Sequence, residues 1–460
     1  MTSDVAVIGG GISGMVAAHR LSRFGARVTL IEKTDRLGGI VETSNDDGFI
    51  VEGGPDSFVA SKGPVLQLAD ELGLDGEVIY SRPESQGSFV WWDGELHPLP
   101  GGLLLMVPHR LRPLFGSSLL SWRGKARVLA DLVLPRSGES GDESLESFVT
   151  RRLGREVLER IAEPLIAGIH AAEPGTMSLR ASFPRFLEME QRHRSLILAA
   201  RRAAPRSPGA PSHFASFRKG MGQLVGGLAA ALDGVRLVTG VAATSLDTGV
   251  AGYELTLGDG SVFTADGVVL ATPAPVATAL LARVAGDVAH SLARIGQVAN
   301  AVVTLAYLTE DLPKLDGSGF VVPTAQGRQI RGVSYSSRKW EGRVPSERYT
   351  LLRVFIGAGT SPGSEDLVRL AREELQAIVG ITASPNRWWV RIHDQGLHRY
   401  TLGHEERLAQ AESGLAARPG LALAGAGFHG VGLNECIESG WRAADSLLAQ
   451  DEPTASRTRR

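Results

Sequence analysis

The chain contains a single cysteine, Cys436, among its 460 residues. One cysteine excludes an internal disulfide and a metal site built from several cysteines, and it is typical of a reducing compartment. Positive charge is not in excess either, because 48 Lys and Arg stand against 50 Asp and Glu, for a formal net charge of −2. The overall charge therefore gives no support to a nucleic acid as partner.

Long apolar runs are missing as well, since no uncharged run reaches the roughly eighteen residues that a membrane-spanning helix needs. The apolar N-terminus starts at Asp4 without a basic region and is interrupted by glycines, which is not typical of a signal peptide. We therefore expect a cytoplasmic protein, with peripheral attachment to a membrane left open. The sequence has no spacing typical of metal ligands, so we expect no metal. It also has no nucleophile elbow of the kind that hydrolases use.

The sequence does have the composition of a folded protein of more than one domain. Hydrophobic residues make up 43% of the chain and charged residues 21%, which is the range of globular proteins. A chain of 460 residues is too long for one ordinary core, so two or three domains are expected.

The most informative stretch is a strand, a glycine turn, a helix and a second strand in residues 4–32. Gly9 permits the tight turn, Gly11 lets the backbone approach a pyrophosphate, and Gly14 lets the helix pack closely against the strand. The N-terminus of the helix favours anionic oxygens, and Glu32, at the end of the second strand, can accept hydrogen bonds from a ribose. This pattern predicts a dinucleotide site.

Further glycine motifs enlarge that site. A second glycine turn follows at residues 36–39, a glycine-proline cluster lies at 53–58, and a buried strand near the C-terminus runs into a glycine loop and a helix at 421–448. One dinucleotide needs only one strand-turn-helix site. The second site, at the far end of the chain, indicates one extended ligand that is held from both ends, as flavin adenine dinucleotide (FAD) would require.

With these motifs the chain resembles the bacterial porphyrinogen oxidases of the flavin amine oxidase superfamily. The outer motifs are shared with the whole superfamily, whereas segments 164–171, 178–184, 194–197 and 400–404 resemble those that separate porphyrinogen oxidases from amine oxidases. The likeness covers nearly the whole chain. It departs at residues 171–173, 392–393 and 398–399, in the predicted substrate half, and this leaves the choice of porphyrinogen open.

The resemblance implies an α/β fold with three parts. A doubly wound, Rossmann-like FAD-binding domain is expected from residues 1–85, 218–290 and 405–460. A substrate-binding domain with a mixed sheet is expected from residues 86–100 and 291–404, and an inserted helical domain from residues 101–205. The apolar segments 103–107 and 111–122 of the helical part have two interpretations. They belong to the core, or they form an apolar surface that meets a substrate or a membrane.

The resemblance also implies a reaction. A porphyrinogen loses six hydrogens to become a porphyrin, and a flavin can take them in three two-electron steps and pass them to dioxygen as hydrogen peroxide. No catalytic side chain is then required, because the cofactor carries the chemistry. Cys436 does not match the motif that anchors flavin covalently in amine oxidases, so the resemblance implies a non-covalent FAD.

The site residues are those that match the family's motifs. For FAD the resemblance and the fingerprint together imply the following positions: Gly9, Gly11, Ser13, Gly14, Glu32, Lys33, Arg36, Gly38, Gly39, Gly54, Pro55, Asp56, Ser57, Val241, Gly427, Val431, Gly432 and Leu433. Because the propionates of a porphyrinogen need positive charge, Lys62 is the first candidate to bind them. Ile169 and His170 are expected as walls of the substrate pocket, and Phe320 and Leu397 as part of its apolar face.

Protoporphyrinogen IX and coproporphyrinogen III compete as substrates, and we lean to the first. An amine oxidase or a carotenoid desaturase would share the outer motifs, and a flavin-binding interaction protein without turnover is a candidate from a different class. The sequence leaves a homodimer open.

Overall fold

The structure is a computed structural model and describes residues 3–60, 63–85, 87–138, 141–167, 173–203, 214–250, 252–357 and 363–451. The strands in these ranges are β1 Asp4–Ile8, β2 Arg27–Glu32, β3 Thr43–Asp46, β4 Phe49–Glu52, β5 Phe58–Val59, β6 Val78–Tyr80, β7 Phe89–Trp92, β8 Glu95–Pro98, β9 Leu103–Leu104, β10 Val107–Pro108, β11 Phe214–Phe217, β12 Arg236–Thr239, β13 Ala243–Thr248, β14 Tyr253–Leu257, β15 Val262–Ala265, β16 Gly267–Leu270, β17 Gly296–Leu308, β18 Gly319–Val321, β19 Ile330–Tyr335, β20 Tyr349–Ile356, β21 Arg387–Arg399 and β22 Leu421–Leu423.

The helices in the same ranges are α1 Ile12–Arg23, α2 Gly63–Glu71, α3 Leu111–Gly116, α4 Trp122–Leu129, α5 Leu145–Arg152, α6 Arg155–Val157, α7 Glu163–Ile166, α8 Leu179–Ser182, α9 Pro184–His193, α10 Leu196–Ala203, α11 Gly222–Ala230, α12 Ala274–Leu281, α13 Gly286–Leu292, α14 Ser336–Lys339, α15 Ser364–Val379, α16 His404–Ala416 and α17 Leu433–Asp451. A π-helical turn, Leu158–Ala162, joins α6 to α7.

A five-stranded parallel sheet gathers segments from both ends of the chain. Its order is β12-β2-β1-β16-β22, and all four neighbouring pairs are parallel. Strands β1 and β16 are buried along nearly their whole length because helices cover both faces, as parallel sheets require. One face carries α1, α2, α11 and α17, and the other carries α12, α13 and α16. This is the doubly wound arrangement that the sequence predicts.

A seven-stranded mixed sheet forms the second part, in the order β21-β17-β20-β19-β18-β7-β8. The pairing of β18 with β7 is parallel, and the other pairings are antiparallel. One face packs on α15, an amphipathic helix that ends at Gly380 in the left-handed conformation. The Asp93-Gly94 pair between apolar segments predicts a hairpin around residues 89–100, and β7 and β8 confirm it, because Asp93 and Gly94 both have the positive φ of a type I′ turn.

The third part is helical and has its own core, which is built from α3 to α10 and the short hairpin β9-β10. The sequence predicts mainly helix here, and this hairpin, which turns at Leu105 with a φ of 55°, is the exception. Met106, Val107 and Leu114 lie in the core, whereas Trp122 is 72% exposed. The apolar side chains of segments 103–107 and 111–122 therefore lie mostly in the core, and a contact with a membrane stays a prediction.

A buried ion pair lies at the centre of this helical core. Arg152 and Asp131 are fully buried and bonded to each other, and Asp131 also accepts hydrogen bonds from the Ser195 hydroxyl and the Ile197 amide. The carboxylate thus ties α10 to the chain after α4, and the ion pair compensates the two buried charges.

The predicted domain segments stay a prediction, but one strand falls outside them. Strand β11, which lies between the predicted segments that end at 205 and begin at 218, pairs with β5 and β6 in a small three-stranded sheet. No helix in the described ranges is both long enough and apolar enough to cross a membrane.

Candidate active site

The glycine turn after β1 is shaped by backbone contacts that leave no room for a side chain. Gly9 has a φ of 110°, and a Cβ atom on it would lie 2.4 Å from the carbonyl oxygen of Ala271. A Cβ atom on Gly14 would lie 1.9 Å from the carbonyl oxygen of Gly9. These two glycines serve the close packing of β1, α1 and β16, as the fingerprint predicts.

Space for a ligand remains at the start of α1. A Cβ atom on Gly11 would have no protein atom within 4 Å, and Gly11 caps α1 without a side-chain hydrogen bond, so the first N–H groups of the helix stay available. Nearby, the hydroxyl of Thr272 is buried and has no hydrogen-bond partner among the described residues. An open cradle with unused donors fits a pyrophosphate, because anions bind well at a helix N-terminus.

Glu32 and Val241 lie together at the ends of neighbouring strands. The carboxylate of Glu32 accepts hydrogen bonds from the amides of Gly10 at 2.7 Å and Thr34 at 2.9 Å. The amide of Val241 donates to the carbonyl of Glu32 at 3.3 Å. The carboxylate is therefore held at the carboxyl edge of the sheet, where nucleotides bind in open α/β folds, with Val241 beside it.

The second glycine turn packs against the first. Gly38 and Gly39 have φ angles of 102° and 59°, and a Cβ atom on Gly39 would lie 3.1 Å from the Cα atom of Gly11. Arg36 donates to the carbonyl of Gly39 and lies 3.2 Å from the carboxylate of Glu42. Lys33 is exposed. These contacts shape the turn, and contacts of Arg36 and Lys33 with FAD stay predictions.

The loop at residues 53–57 is held by the mixed sheet. The guanidinium of Arg353 on β20 donates to the carbonyl of Gly54 at 2.5 Å, and the imidazole of His393 on β21 lies 2.8 Å from the carbonyl of Gly53. A Cβ atom on Gly54 would lie 1.9 Å from the carbonyl oxygen of Ile40. Two strands nearly 300 residues away in the chain thus fix this loop at the edge of the parallel sheet.

Asp56 is the anionic centre of a buried charge cluster. Its carboxylate lies 3.4 Å from both Lys339 and Arg353, and it accepts hydrogen bonds from the indole of Trp340 and the hydroxyl of Ser57. Burial alone would raise the pKa of Asp56, but the two cations outweigh it and hold the pKa well below its usual range. Asp56, which was predicted to contact the flavin, therefore directs its side chain into the mixed sheet. These contacts show that Asp56 supports the loop.

The glycine loop after β22 is held by two stacked rings. The hydroxyl of Tyr400 donates to the carbonyl of Ala426 and accepts from the amide of Gly430, each at 2.7 Å. The imidazole of His404 stacks on Tyr400 at 4.0 Å and lies 3.0 Å from the carbonyl of Phe428. The loop is thereby rigid in a region where the chain has little other secondary structure.

His398 faces the same loop from β21. Its ring atoms would lie 3.5 Å from a Cβ atom on Gly427, and the amide nitrogen of Gln297, its partner across the strands, lies 3.0 Å from Nδ1. Burial, followed by the charge of His404, lowers the pKa of His398 to about 4. A neutral imidazole therefore stands against the glycine loop at neutral pH.

The C-terminal helix completes the site through close contacts with α1. A Cβ atom on Gly440 would lie 2.5 Å from the carbonyl of Ser13, and the buried hydroxyl of Ser13 hydrogen-bonds to the thiol of Cys436. Burial raises the pKa of Cys436 to about 12, which makes the thiol inert. A phosphate contact of Ser13 would therefore come from its backbone N–H.

The start of α17 is fixed on both sides. Gly430 and Gly432 lie under the side chain of Glu435, whose carboxylate would be 2.3 Å from a Cβ atom on Gly432. Val431 between them is half-buried, and Leu433 is buried. The amide of Asn434 bonds to the Val65 nitrogen and to the Val59 carbonyl, so it ties α17 to β5 and α2.

The predicted substrate residues are distributed unevenly. Lys62, Ile169 and His170 lie outside the described residues. Leu397 is half-buried on β21 next to His398. The expectation for Phe320 stays a prediction, and its ring is 2% exposed and packs in the core between the mixed sheet and α15, on the face that points away from Arg353.

Several residues of the site were not predicted. Four of them contact the glycine loops, Arg353, His393, His398 and Tyr400, and the fifth, Asn434, ties α17 to β5 and α2. Their local signal is polarity within otherwise apolar segments, and such a signal does not name a partner on another element. Among the described residues, no group of three or more His, Cys, Asp or Glu side chains could hold a metal ion.

The sheet order, the open glycine cradle and the acidic residue at the strand end define a dinucleotide-binding protein of the doubly wound class. The sequence profile of flavin-containing amine oxidoreductases matches residues 12–448, and the chain belongs to this family. It is an FAD-dependent oxidoreductase, and the cradle described above fits FAD.

Two curated relatives and one crystal structure are similar over nearly the whole chain. The coproporphyrinogen III oxidase of Bacillus subtilis is 32% identical and covers 96% of this chain and 97% of its own. The protoporphyrinogen oxidase of Bos taurus is 35% identical, covering 98% of this chain and 99% of its own. A candidate protoporphyrinogen oxidase from Exiguobacterium sp. 255-15 superposes with a TM-score of 0.87 at 29% identity and covers 98% and 99% of the two chains.

Proposed function

We propose that the protein oxidises a porphyrinogen to the corresponding porphyrin, with FAD as the electron acceptor and dioxygen as the final oxidant. The observation that carries this proposal is that relatives named as porphyrinogen oxidases match the chain from end to end, including the helical part and the mixed sheet. Six electrons and six protons leave the porphyrinogen, and three molecules of dioxygen become three of hydrogen peroxide.

FAD, when bound, supplies the two-electron chemistry of each step. The protein's own residues position it. The N–H groups at the start of α1 receive the pyrophosphate, and Glu32 lies where the ribose would be. The loops at Gly54 and Gly427 are braced by Arg353 and His398, so the redox end of the cofactor would meet a fixed surface.

We propose that FAD is held without a covalent bond. The thiol of Cys436 is buried against Ser13, and burial raises its pKa to about 12, so it is a poor nucleophile. Acid precipitation of the purified protein should release all of the flavin into the supernatant. Flavin that stays with the pellet would contradict this proposal.

Protoporphyrinogen IX is the substrate that we propose first. Coproporphyrinogen III is a second candidate, because the bacterial relative in the comparison is named for it. The two differ in carrying two or four propionates, and the residues that meet these groups decide between them.

The test is turnover of both porphyrinogens by the purified protein under air, followed by the growth of porphyrin fluorescence and of hydrogen peroxide. We expect one porphyrinogen to be oxidised with at least a tenfold higher kcat/KM than the other. Anaerobic mixing should bleach the flavin with the same preference. A yellow protein whose flavin neither substrate reduces would remove the assignment and favour a binding protein without turnover.

A further inference from the structure

One face of the mixed sheet points toward the loops at Gly54 and Gly427, which we call the flavin loops, and the side chains of β20 show which face this is. Leu352, Val354 and Ile356 point into the core with α15. Because side chains alternate along a strand, Arg353 and Phe355 point the other way, and the Arg353 guanidinium lies 5.2 Å from the centre of the Phe355 ring. We call this surface the Arg353 face. It starts at the carbonyl of Gly54 and continues outward along β20.

A second arginine lies at the outer end of the Arg353 face. Gly357 is the next position on this face after Phe355, and a Cβ atom on Gly357 would lie 2.9 Å from Nε and 3.4 Å from Nη2 of Arg331. The guanidinium of Arg331 thus lies over Gly357. Position 357 lies four residues beyond position 353, which corresponds to roughly 13 Å along the strand.

Arg331 is a cation without an anionic partner in the described part of the chain. Its hydrogen bond there is from Nη1 to the hydroxyl of Thr324, at 3.1 Å, and no carboxylate lies within ion-pair distance. Three neighbouring arginines of the mixed sheet are paired, Arg328 with Glu374, Arg353 with Asp56 and Arg391 with Glu42, whereas Arg399 at the end of β21 has no ion pair among the described residues either. Arg331 therefore differs from these three in having charge to offer a ligand.

The helical part meets the mixed sheet at this point. The carboxylate of Glu163 on α7 accepts hydrogen bonds from the hydroxyl of Thr324 at 2.5 Å and from its amide at 3.1 Å. Because this hydroxyl donates its proton to Glu163, its oxygen is the acceptor in the hydrogen bond from Arg331, and this bond orients the guanidinium. Val321 of β18 also packs against the helical core. The outer end of the Arg353 face is thus covered by helices, and its inner end borders the flavin loop.

We infer that Arg331 binds a propionate carboxylate of the porphyrinogen and thereby contributes to the choice of substrate. This inference rests on the proposed function. A porphyrinogen that lies along the Arg353 face with its reacting carbon near the flavin loop would extend its carboxylates toward the junction with the helices. There Arg331 offers two N–H groups in a fixed fork, a geometry that matches a carboxylate. Arg331 is a specificity residue and takes no part in the electron transfer.

The test compares Arg331→Gln and Arg331→Lys with the wild-type holoenzyme. Removing one charge-assisted contact should weaken binding roughly ten- to hundred-fold. We therefore expect Arg331→Gln to raise KM for the porphyrinogen by that factor with kcat nearly unchanged, and Arg331→Lys to recover part of the loss. Arg338→Gln is the matched control, because Arg338 is exposed on α14 and, among the described residues, its side chain hydrogen-bonds to the carbonyl of Gly317.

A binding measurement separates recognition of the carboxylate from support of the fold. Fluorescence anisotropy of coproporphyrin III, and of its tetramethyl ester in the same detergent, gives the Kd for each variant. We expect Arg331→Gln to weaken binding of the acid and to leave binding of the ester within twofold of the wild type. The flavin spectrum and the melting temperature report on folding, and Glu163→Gln reports on the tether between α7 and Thr324.

Three results would overturn the inference. Arg331→Gln could bind the acid and turn over the porphyrinogen as the wild type does, it could weaken acid and ester equally, or Glu163→Gln could reproduce its whole effect on KM. Each of these leaves the proposed function standing, because the wild type still oxidises a porphyrinogen. A wild-type protein that oxidises neither porphyrinogen would instead remove the proposed function, and the inference with it.

Discussion

The hydroxyl of Tyr400 joins the two ends of one glycine loop, since it donates to the carbonyl of Ala426 and accepts from the amide of Gly430. Tyr400 directly follows β21 of the mixed sheet, whereas the loop follows β22 of the parallel sheet. One side chain thus couples the part that would meet the substrate to the part that would meet the flavin.

We predict that Tyr400→Phe lowers the free energy of unfolding by about 1–3 kcal/mol, because the buried amide and carbonyl lose their partner. The affinity for FAD should fall as well, since the loop loses its brace. Urea denaturation and titration with FAD measure the two effects. Tyr307→Phe is the control, because the buried Tyr307 hydroxyl has no hydrogen-bond partner among the described residues, and its removal should cost little. Equal losses in the two variants would contradict the bracing role.

Gly11→Ala and Gly14→Ala should separate ligand binding from folding. A methyl group on Gly11 meets no protein atom within 4 Å, so we expect the melting temperature of the apoprotein to stay the same and the Kd for FAD to rise. A methyl group on Gly14 would lie 1.9 Å from the carbonyl of Gly9, so this variant should lose stability before any ligand is added. Differential scanning fluorimetry with and without FAD tests both. Unchanged FAD binding by Gly11→Ala would show that the pyrophosphate lies elsewhere.

His398 should make stability depend on pH. The folded state holds its pKa at about 4, below the unfolded value near 6.5, so the unfolded chain binds a proton first as the pH falls. The stabilisation is complete above pH 6.5 and is lost progressively between pH 6.5 and 4, at no more than about 1.4 kcal/mol per pH unit from this one group. His398→Gln should flatten the slope of the unfolding free energy in this window, as measured by urea denaturation. The exposed His290 is the control, and His290→Gln should leave the slope as it is.

The buried pair in the helical part should show a strong penalty for a lone charge. Arg152→Met leaves the fully buried carboxylate of Asp131 without its cation and should cost about 3–5 kcal/mol of unfolding free energy. The double variant Asp131→Asn, Arg152→Met should be less destabilised than the sum of the two single variants, because no uncompensated charge remains. Additive losses in denaturant titrations would argue against the coupling.

Much of the parallel-sheet part was predictable from local patterns. The apolar segments 5–8 and 27–31 form β1 and β2, and the segment that ends at Ala424 contains β22. Such segments are buried on both faces, so their hydrophobicity is continuous and their glycine turns are easily recognised. The hairpin at Asp93 was equally clear, because its turn needs residues that tolerate a positive φ.

Strand β21 was not predicted, although it carries His393 and His398. Its thirteen residues include three arginines and two histidines, because the face toward the flavin loops is polar and bonds to Glu42 and to the carbonyl of Gly53. Neither the alternation of a half-exposed strand nor an apolar run marks such a segment. An aromatic residue in an apolar strand, such as Phe320, likewise carries no sign of which face of the sheet it occupies.

The sequence by itself determined the class of cofactor, because the glycines at 9, 11 and 14 and the acid at 32 act through short-range backbone geometry that only a few residue types allow. It also determined the family, through motifs spread over the chain. Only the tertiary structure decided which side chains brace the flavin loops and which cation stands free at the end of the Arg353 face. These are contacts between residues on separate elements of the chain, and only the packing of the sheets brings them together.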